Sequence, residues 1–302
     1  MYLIGELKDK KMLQEIQTEL TQSGIEFSEK YFPESDHYAL YAADESRQQQ
    51  ALEIFRIKLG FKKSFEIDQD WVKIKSIPRG PITLNLVIFC SLIYLLSFTN
   101  MGKHLYDLFS ISRAESDFLN EVSRGQVWRL LTPIFLHMNL MHILFNMMWF
   151  KDLGYLLEHQ YKKEFLIIFI VGTGVFSNIL QYFVSGPNFG GMSGVLYAML
   201  GFIWVRSKCD SSIEYKIPQR DLMIMIGWMF LCLTGLVGPV ANLAHAAGLF
   251  SGMMSALLFF NAPQLMKLKM TGLAFLLFIL VLAIEWGKYY YRGSQFFIFM
   301  WT

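Results

Sequence analysis

The stretch NFGGMSGVLYAMLGF, residues 188–202, sets Ser193 between glycines at the mouth of an apolar run. A hydroxyl in such a run most often bonds a carbonyl of the preceding turn. To attack a carbonyl carbon at neutral pH it needs a base within about 3 Å. His245 is placed to be that base. It lies about five residues inside a second apolar segment, VANLAHAAGLFSGMMSALLFF, where an ionisable side chain is by default a functional candidate. A third cluster, HMNLMHILFNMMWF, puts His142 and Asn146 four residues apart on one helical face. Asn146 is a donor and not a base. With the Ser193 N–H at a helix N-terminus, this pair suits a developing oxyanion, although interhelical polar contact is the plainer reading of both. His137, with Asn139, ties a loop to a helix end.

These groups must be carried by membrane helices. The chain has 302 residues, 54% hydrophobic and only 17% charged, against about a quarter charged in soluble proteins. Residues 1–80 hold 12 of the 27 Lys and Arg and 14 of the 25 Asp and Glu. The reading is a polar N-terminal module followed by a polytopic α-helical membrane domain. Seven apolar segments are expected, at roughly 82–98, 139–157, 165–184, 193–205, 222–237, 240–260 and 271–286. The start MYLIGELKDKK turns polar too early for a cleaved leader, so the first apolar segment is expected to direct insertion. With the N-terminus cytoplasmic and every segment crossing, 21 of the 27 Lys and Arg fall inside. A six-crossing chain would only bring the tail inside.

The fourth segment is short. From Ser193 to Val205 it reaches roughly 20 Å, against about 30 Å for a hydrocarbon core. The helix therefore begins below the outer surface, and VSGPNFGGM descends to it as non-helical backbone. Such backbone is tolerated at depth only inside protein or beside water. By the same count His245 reaches the depth of Ser193. Ala244, Gly248 and Gly252 on one helix and Gly194, Ala198 and Gly201 on the other form small-residue stripes, which allow close backbone approach. The fifth segment has no such stripe. It is expected to lean away from the second, with Trp228 and Phe145 as bulky contacts at a lateral gate.

The N-terminal 60 residues read as strand, helix, two strands and helix, half of a ferredoxin-like sheet. Residues 61–81 read as linker and interfacial approach, 82–260 as a six-helix core, and 261–302 as an additional helix and tail. Cys90, Cys209 and Cys232 have no metal or redox spacing and read as small apolar residues without disulfides. The histidines have no intramembrane carboxylate or cysteine beside them, so no metal or other cofactor is expected. His104 and His159 read as solvated loop residues, and Glu285 as snorkelling beside Trp286 and Tyr289. No basic stripe with interleaved aromatics suggests nucleic acid, and no repeat indicates an array.

Taken together, these residues resemble the rhomboid family of intramembrane serine proteases in its bacterial form. The resemblance rests on Gly191-Met192-Ser193-Gly194 with Tyr197, on Ala244-His245-Ala246-Ala247-Gly248 with Gly252, on His142-Ile143-Leu144-Phe145-Asn146, and on Trp128-Arg129. It covers roughly residues 80–260. It implies a serine endopeptidase of the bacterial inner membrane with a Ser193–His245 dyad and no third acid. It also implies an oxyanion site from His142, Asn146 and the Ser193 backbone, with Tyr197, Gly191, Gly194 and Gly248 around it and Trp128-Arg129 bracing the outer loop. The implied substrates are single-pass transmembrane proteins approached through lipid. The seventh segment departs from the basic six-helix form. A catalytically inactive scaffold is the rival reading, though such a protein would normally lack Ser193 or His245. A transporter is a weaker rival, since no inverted repeat is visible.

Overall fold

A computed structural model describes residues 1–61, 68–113, 119–210, 213, 215–260 and 263–299, the last with side chains to residue 288. The chain divides into two compact units, Met1–Ile67 and Asp68–Thr302. Residues 62–67 of the expected linker and the side chains of Tyr289 and Arg292 lie outside the described parts.

In the first unit, β1 (Tyr2–Leu7), α1 (Lys10–Gln22), β2 (Phe27–Phe32), β3 (His37–Ala42) and α2 (Glu45–Lys58) form a three-stranded antiparallel sheet in the order β1-β3-β2, with two helices. This is the βαββα order expected from the alternation of apolar residues. Asp9 caps α1 by accepting from the amides of Lys11 and Met12 at 2.8 and 3.2 Å. Ile16 and Leu20 of α1 and Leu40 of β3 pack in its core with Phe55 of α2, whose ring lies against Gly5.

The second unit is helical. It opens with α3 (Gln69–Lys75), inside the stretch read as linker, and α4 (Pro81–Leu96). Two short helices, α5 (Gly102–Phe109) and α6 (Asn120–Ser123), and two 3-10 turns lead to α7 (Leu140–Ser185). Then come α8 (Ser193–Cys209), α9 (Gln219–Leu233), α10 (Asn242–Phe259) and α11 (Gln264–Phe299). Among the described residues, α7, α10 and the Gln264–Lys288 part of α11 are long and apolar enough to cross a membrane, and α4 is a shorter apolar helix.

Several boundaries differ from expectation. The second and third apolar segments belong to one helical run, broken only at Lys162 (φ 69°, ψ 165°). The intervening EHQYKKE lacks proline and glycine, so helical hydrogen bonding continues nearly to the break. His159 therefore sits on a helix, as does His104 in α5, and both are exposed. The fourth segment continues past Val205 to Cys209, because Arg206 and Lys208 are helix formers and Arg206 pairs with Asp210 at 3.6 Å. The fifth ends at Leu233, short of 237, where Gly235 and Gly238 turn the chain at φ 79° and 88°. The last begins at Gln264 rather than 271.

Two interactions assemble this unit. Glu158 of α7 caps α4: its carboxylate accepts from the Ile82 and Thr83 amides at 2.9 Å each and from the Thr83 hydroxyl at 2.8 Å. An acid is favourable at that helix N-terminus. The second is the close approach of α8 and α10. A Cβ at Gly248 would overlap the Gly194 carbonyl, one at Gly252 the Ala198 carbonyl, and one at Gly201 would lie 2.6 Å from the Leu249 carbonyl. By contrast, a Cβ on Gly227 of α9 would meet nothing within 4 Å.

Gly252→Val should therefore destabilise the protein by about 3 kcal/mol in detergent unfolding, because backbone cannot yield as a side chain can. Gly227→Ala should be neutral or stabilise by up to about 1 kcal/mol, through helix propensity. Equal effects of the two would remove the packing argument. Glu158→Ala should cost about 3 kcal/mol in the same assay by stranding the α4 amides, whereas Thr83→Val, which loses one bond, should cost about 1 kcal/mol.

Candidate active site

Ser193 is the first residue of α8 and so carries one of the amides left without an intrahelical partner. The chain reaches it through Gly191, whose φ of 120° only glycine adopts readily. The Gly191 backbone lies against the His142 imidazole: a Cβ there would stand 2.5 Å from His142 Nε2. Gly191 thus serves both the turn into α8 and the approach of α7.

Ser193 Oγ and His245 Nε2 are 2.8 Å apart. His245 is 4% exposed, in the first turn of α10. If the hydroxyl donates, the imidazole proton sits on Nδ1, which is buried and has no hydrogen-bond partner among the described residues. The Tyr197 ring packs on the imidazole with centroids 4.7 Å apart and planes tilted by 33°. Its hydroxyl donates to the Met225 carbonyl at 2.9 Å, tying α8 to α9. Stacking on one face, rather than a carboxylate beneath, orients this histidine.

His142 and Asn146 stand together at the start of α7. Asn139 caps that helix, accepting from the His142 amide at 2.8 Å. Asn146 Nδ2 donates to the His142 carbonyl at 2.7 Å, and Asn146 Oδ1 is buried without a partner. His137 is buried with its Nδ1 3.3 Å from the Phe135 carbonyl and its ring 5.0 Å from that of His142. Asn139 and His137 thus join loop to helix as their sequence positions suggested. Phe145 of α7 and Trp228 of α9 also meet, with ring centroids 5.7 Å apart, and both are a little under half exposed.

Of the Trp128-Arg129 pair, it is Arg129 that knits the loop. It is buried and donates to Gln126 Oε1 at 2.7 Å and to the Asp107 and Ser110 carbonyls. Trp128 is 46% exposed.

Other residues support the site that had not been singled out. Gln181 Oε1 accepts from the Ala244 amide at 2.8 Å, securing the first turn of α10 beside His245. Ser177 lies where a Cβ on Gly194 would fall, and Asn178 donates to the Leu130 and Leu131 carbonyls. The signal was present: Thr173, Ser177, Gln181 and Ser185 recur every four residues through an apolar span. Glu285 departs from its expected snorkelling. It accepts from Asn242 Nδ2 at 3.0 Å and from Lys288 at 2.7 Å, because α11 packs on α10 and brings it a partner. Among the described residues no group of His, Cys, Asp and Glu could hold a metal, and all three cysteines are free thiols.

Residues 124–262 match the family model described as the rhomboid domain. The chain is 32% identical over 178 residues to the rhomboid protease GlpG of Yersinia pestis (strain Pestoides F). It is 31% identical over the same length to that of Yersinia enterocolitica serotype O:8 / biotype 1B. Both alignments cover 59% of this chain and 62% of the relative. Ser193, His245, His142 and Asn146 all lie inside the region similar to the rhomboid domain, and the chain spans a little under two thirds of the length of the GlpG rhomboid proteases it resembles.

Proposed function

We propose that the protein is an intramembrane serine endopeptidase, cutting peptide bonds in or near the membrane spans of single-pass proteins. The observation that carries this reading is the 2.8 Å contact between Ser193 Oγ and His245 Nε2, at the start of two helices whose backbones touch. Ser193 Oγ attacks the scissile carbonyl carbon while its proton passes to His245 Nε2. The carbonyl π pair moves to oxygen, and the oxyanion forms before the Ser193 amide, the second Asn146 amide proton and the His142 ring. Collapse expels the amine, which takes the proton from His245 and leaves an acyl ester on Ser193. Water then attacks the ester, again giving its proton to His245, and Ser193 is restored as the acid departs.

A scaffold that only binds spans would need neither this pairing nor the buried imidazole, so the enzyme reading is preferred. The membrane unit is read as a six-helix core, in which the two limbs of α7 count separately, followed by α11 as a seventh. It lies in the bacterial inner membrane with residues 1–60 in the cytoplasm, as the inside bias of Lys and Arg suggests. Substrates approach from lipid between α7 and α9, past Phe145 and Trp228. The chemistry needs no cofactor or metal.

Purified protein in liposomes should cleave a single-pass substrate. Ser193→Ala and His245→Ala should each lose about 10³-fold or more in rate with unchanged thermal unfolding. A serine-directed fluorophosphonate should label wild type and not Ser193→Ala; retained cleavage in Ser193→Ala would end the mechanism. Replacing Phe145 and Trp228 together with Val should raise kcat/KM for the membrane-bound substrate by about 3-fold or more, with probe labelling of Ser193 unchanged. Unchanged cleavage would remove the gate.

A further inference from the structure

The helix that sets this chain apart from a six-helix core is α11, and its two described charges near the far end are not spare. Lys288 Nζ donates to the Leu233 carbonyl at 2.8 Å and to Glu285 Oε1 at 2.7 Å. That same oxygen accepts from Asn242 Nδ2 at 3.0 Å. Leu233 is the last residue of α9, where carbonyls lack helical partners, and Asn242 is the first of α10. One ion pair on a third helix therefore joins the end of α9 to the beginning of α10, across the turn at 234–241.

The packing around it has the same reach. Val281 of α11 is buried with Leu233 of α9 and Ala246 of α10, and Phe230, Phe278 and Ile284 close over them. Elsewhere α9 is lightly held. Its Gly227 faces open space, and Met223, Ile224, Trp228 and Leu231 are exposed. Polar attachments tie it at Asp221, to the Trp71 indole, and at Met225, to the Tyr197 hydroxyl. The Lys288 contact holds its C-terminal end. A cation opposite the final carbonyls of a helix also complements the helix dipole. Two charges in an apolar stretch are costly unless paired, and here the pair is spent on two neighbouring helices.

The geometry points to Glu285 and Lys288 as a clamp through which α11 restrains the outward movement of α9. They are positioning residues: neither touches the reacting atoms. The consequence for substrate rests on the protease reading above, since α9 bounds the path by which a membrane span would reach Ser193. The physical restraint itself does not depend on that reading.

The test uses the full chain in lipid nanodiscs and compares Lys288→Met, which removes the donor, with Lys288→Arg, which keeps it. Hydrogen exchange of peptides covering 226–238 should quicken about tenfold in Lys288→Met. Exchange across 193–209 should stay within about twofold, and Lys288→Arg should behave as wild type. In liposomes, Lys288→Met should raise kcat/KM for a single-pass substrate about threefold, while fluorophosphonate labelling of Ser193 is unchanged. Unaltered exchange in 226–238, or faster exchange throughout the unit, overturns the clamp even if wild type cleaves. Faster local exchange without faster cleavage overturns its role in access. Should wild type neither cleave nor take the probe while local exchange still responds, the clamp stands and the protease reading falls.

Discussion

The close approach of α8 and α10 is the constraint on which the membrane unit depends. In lipid, helices gain nothing from expelling water between them, so association relies on close van der Waals contact and on polar groups that find partners. The Gly194 and Ala198 carbonyls fill the space that side chains at 248 and 252 would occupy. This sets the first turns of both helices at one level. The first turns carry Ser193 and His245, and their 2.8 Å contact stands directly beside the Gly194–Gly248 approach.

Across this unit, polar side chains of α7 and of the loop before it meet backbone groups at helix ends. Gln181 of α7 takes the Ala244 amide, Glu158 takes two amides of α4, and Asn139 takes that of His142. Arg129 performs the reverse service for loop carbonyls. Helix ends are where backbone groups lack partners, and a unit that must bring several helix ends to one buried place has to supply them from side chains. This explains why the buried polar residues of this unit concentrate near helix termini and along one stripe of α7. It also explains the contrast with α9, whose surface makes few such bonds and whose glycine packs against nothing.

His245 shows how little polar support a buried imidazole can have. Among the described residues no carboxylate meets Nδ1; the ring is held by Tyr197 on its face and by Ser193 on its edge. A buried acid here would bring a charge into an apolar surrounding at considerable cost. Aromatic stacking orients the ring without one.

Much of this was legible in the linear chain. Apolar run lengths and small-residue spacing depend on local geometry, 1.5 Å per residue and 3.6 residues per turn, and so located Ser193 at a helix start and opposed it to His245. Alternation and helical spacing of apolar residues did the same for the N-terminal sheet, where the expected βαββα order is the observed one. Helix ends were read less well, because a charged stretch without proline or glycine, such as EHQYKKE, is compatible with either a loop or a continued helix. The partners of Gln181, Asn178 and Glu285 were not readable at all. Each bonds a group 43 or more residues away, and which group arrives there is decided by the order in which helices pack. The sequence by itself determined which residues could do chemistry and that they stand at helix starts; the tertiary structure alone decided what holds them there, since a hydrogen bond between distant helices leaves no period in the chain.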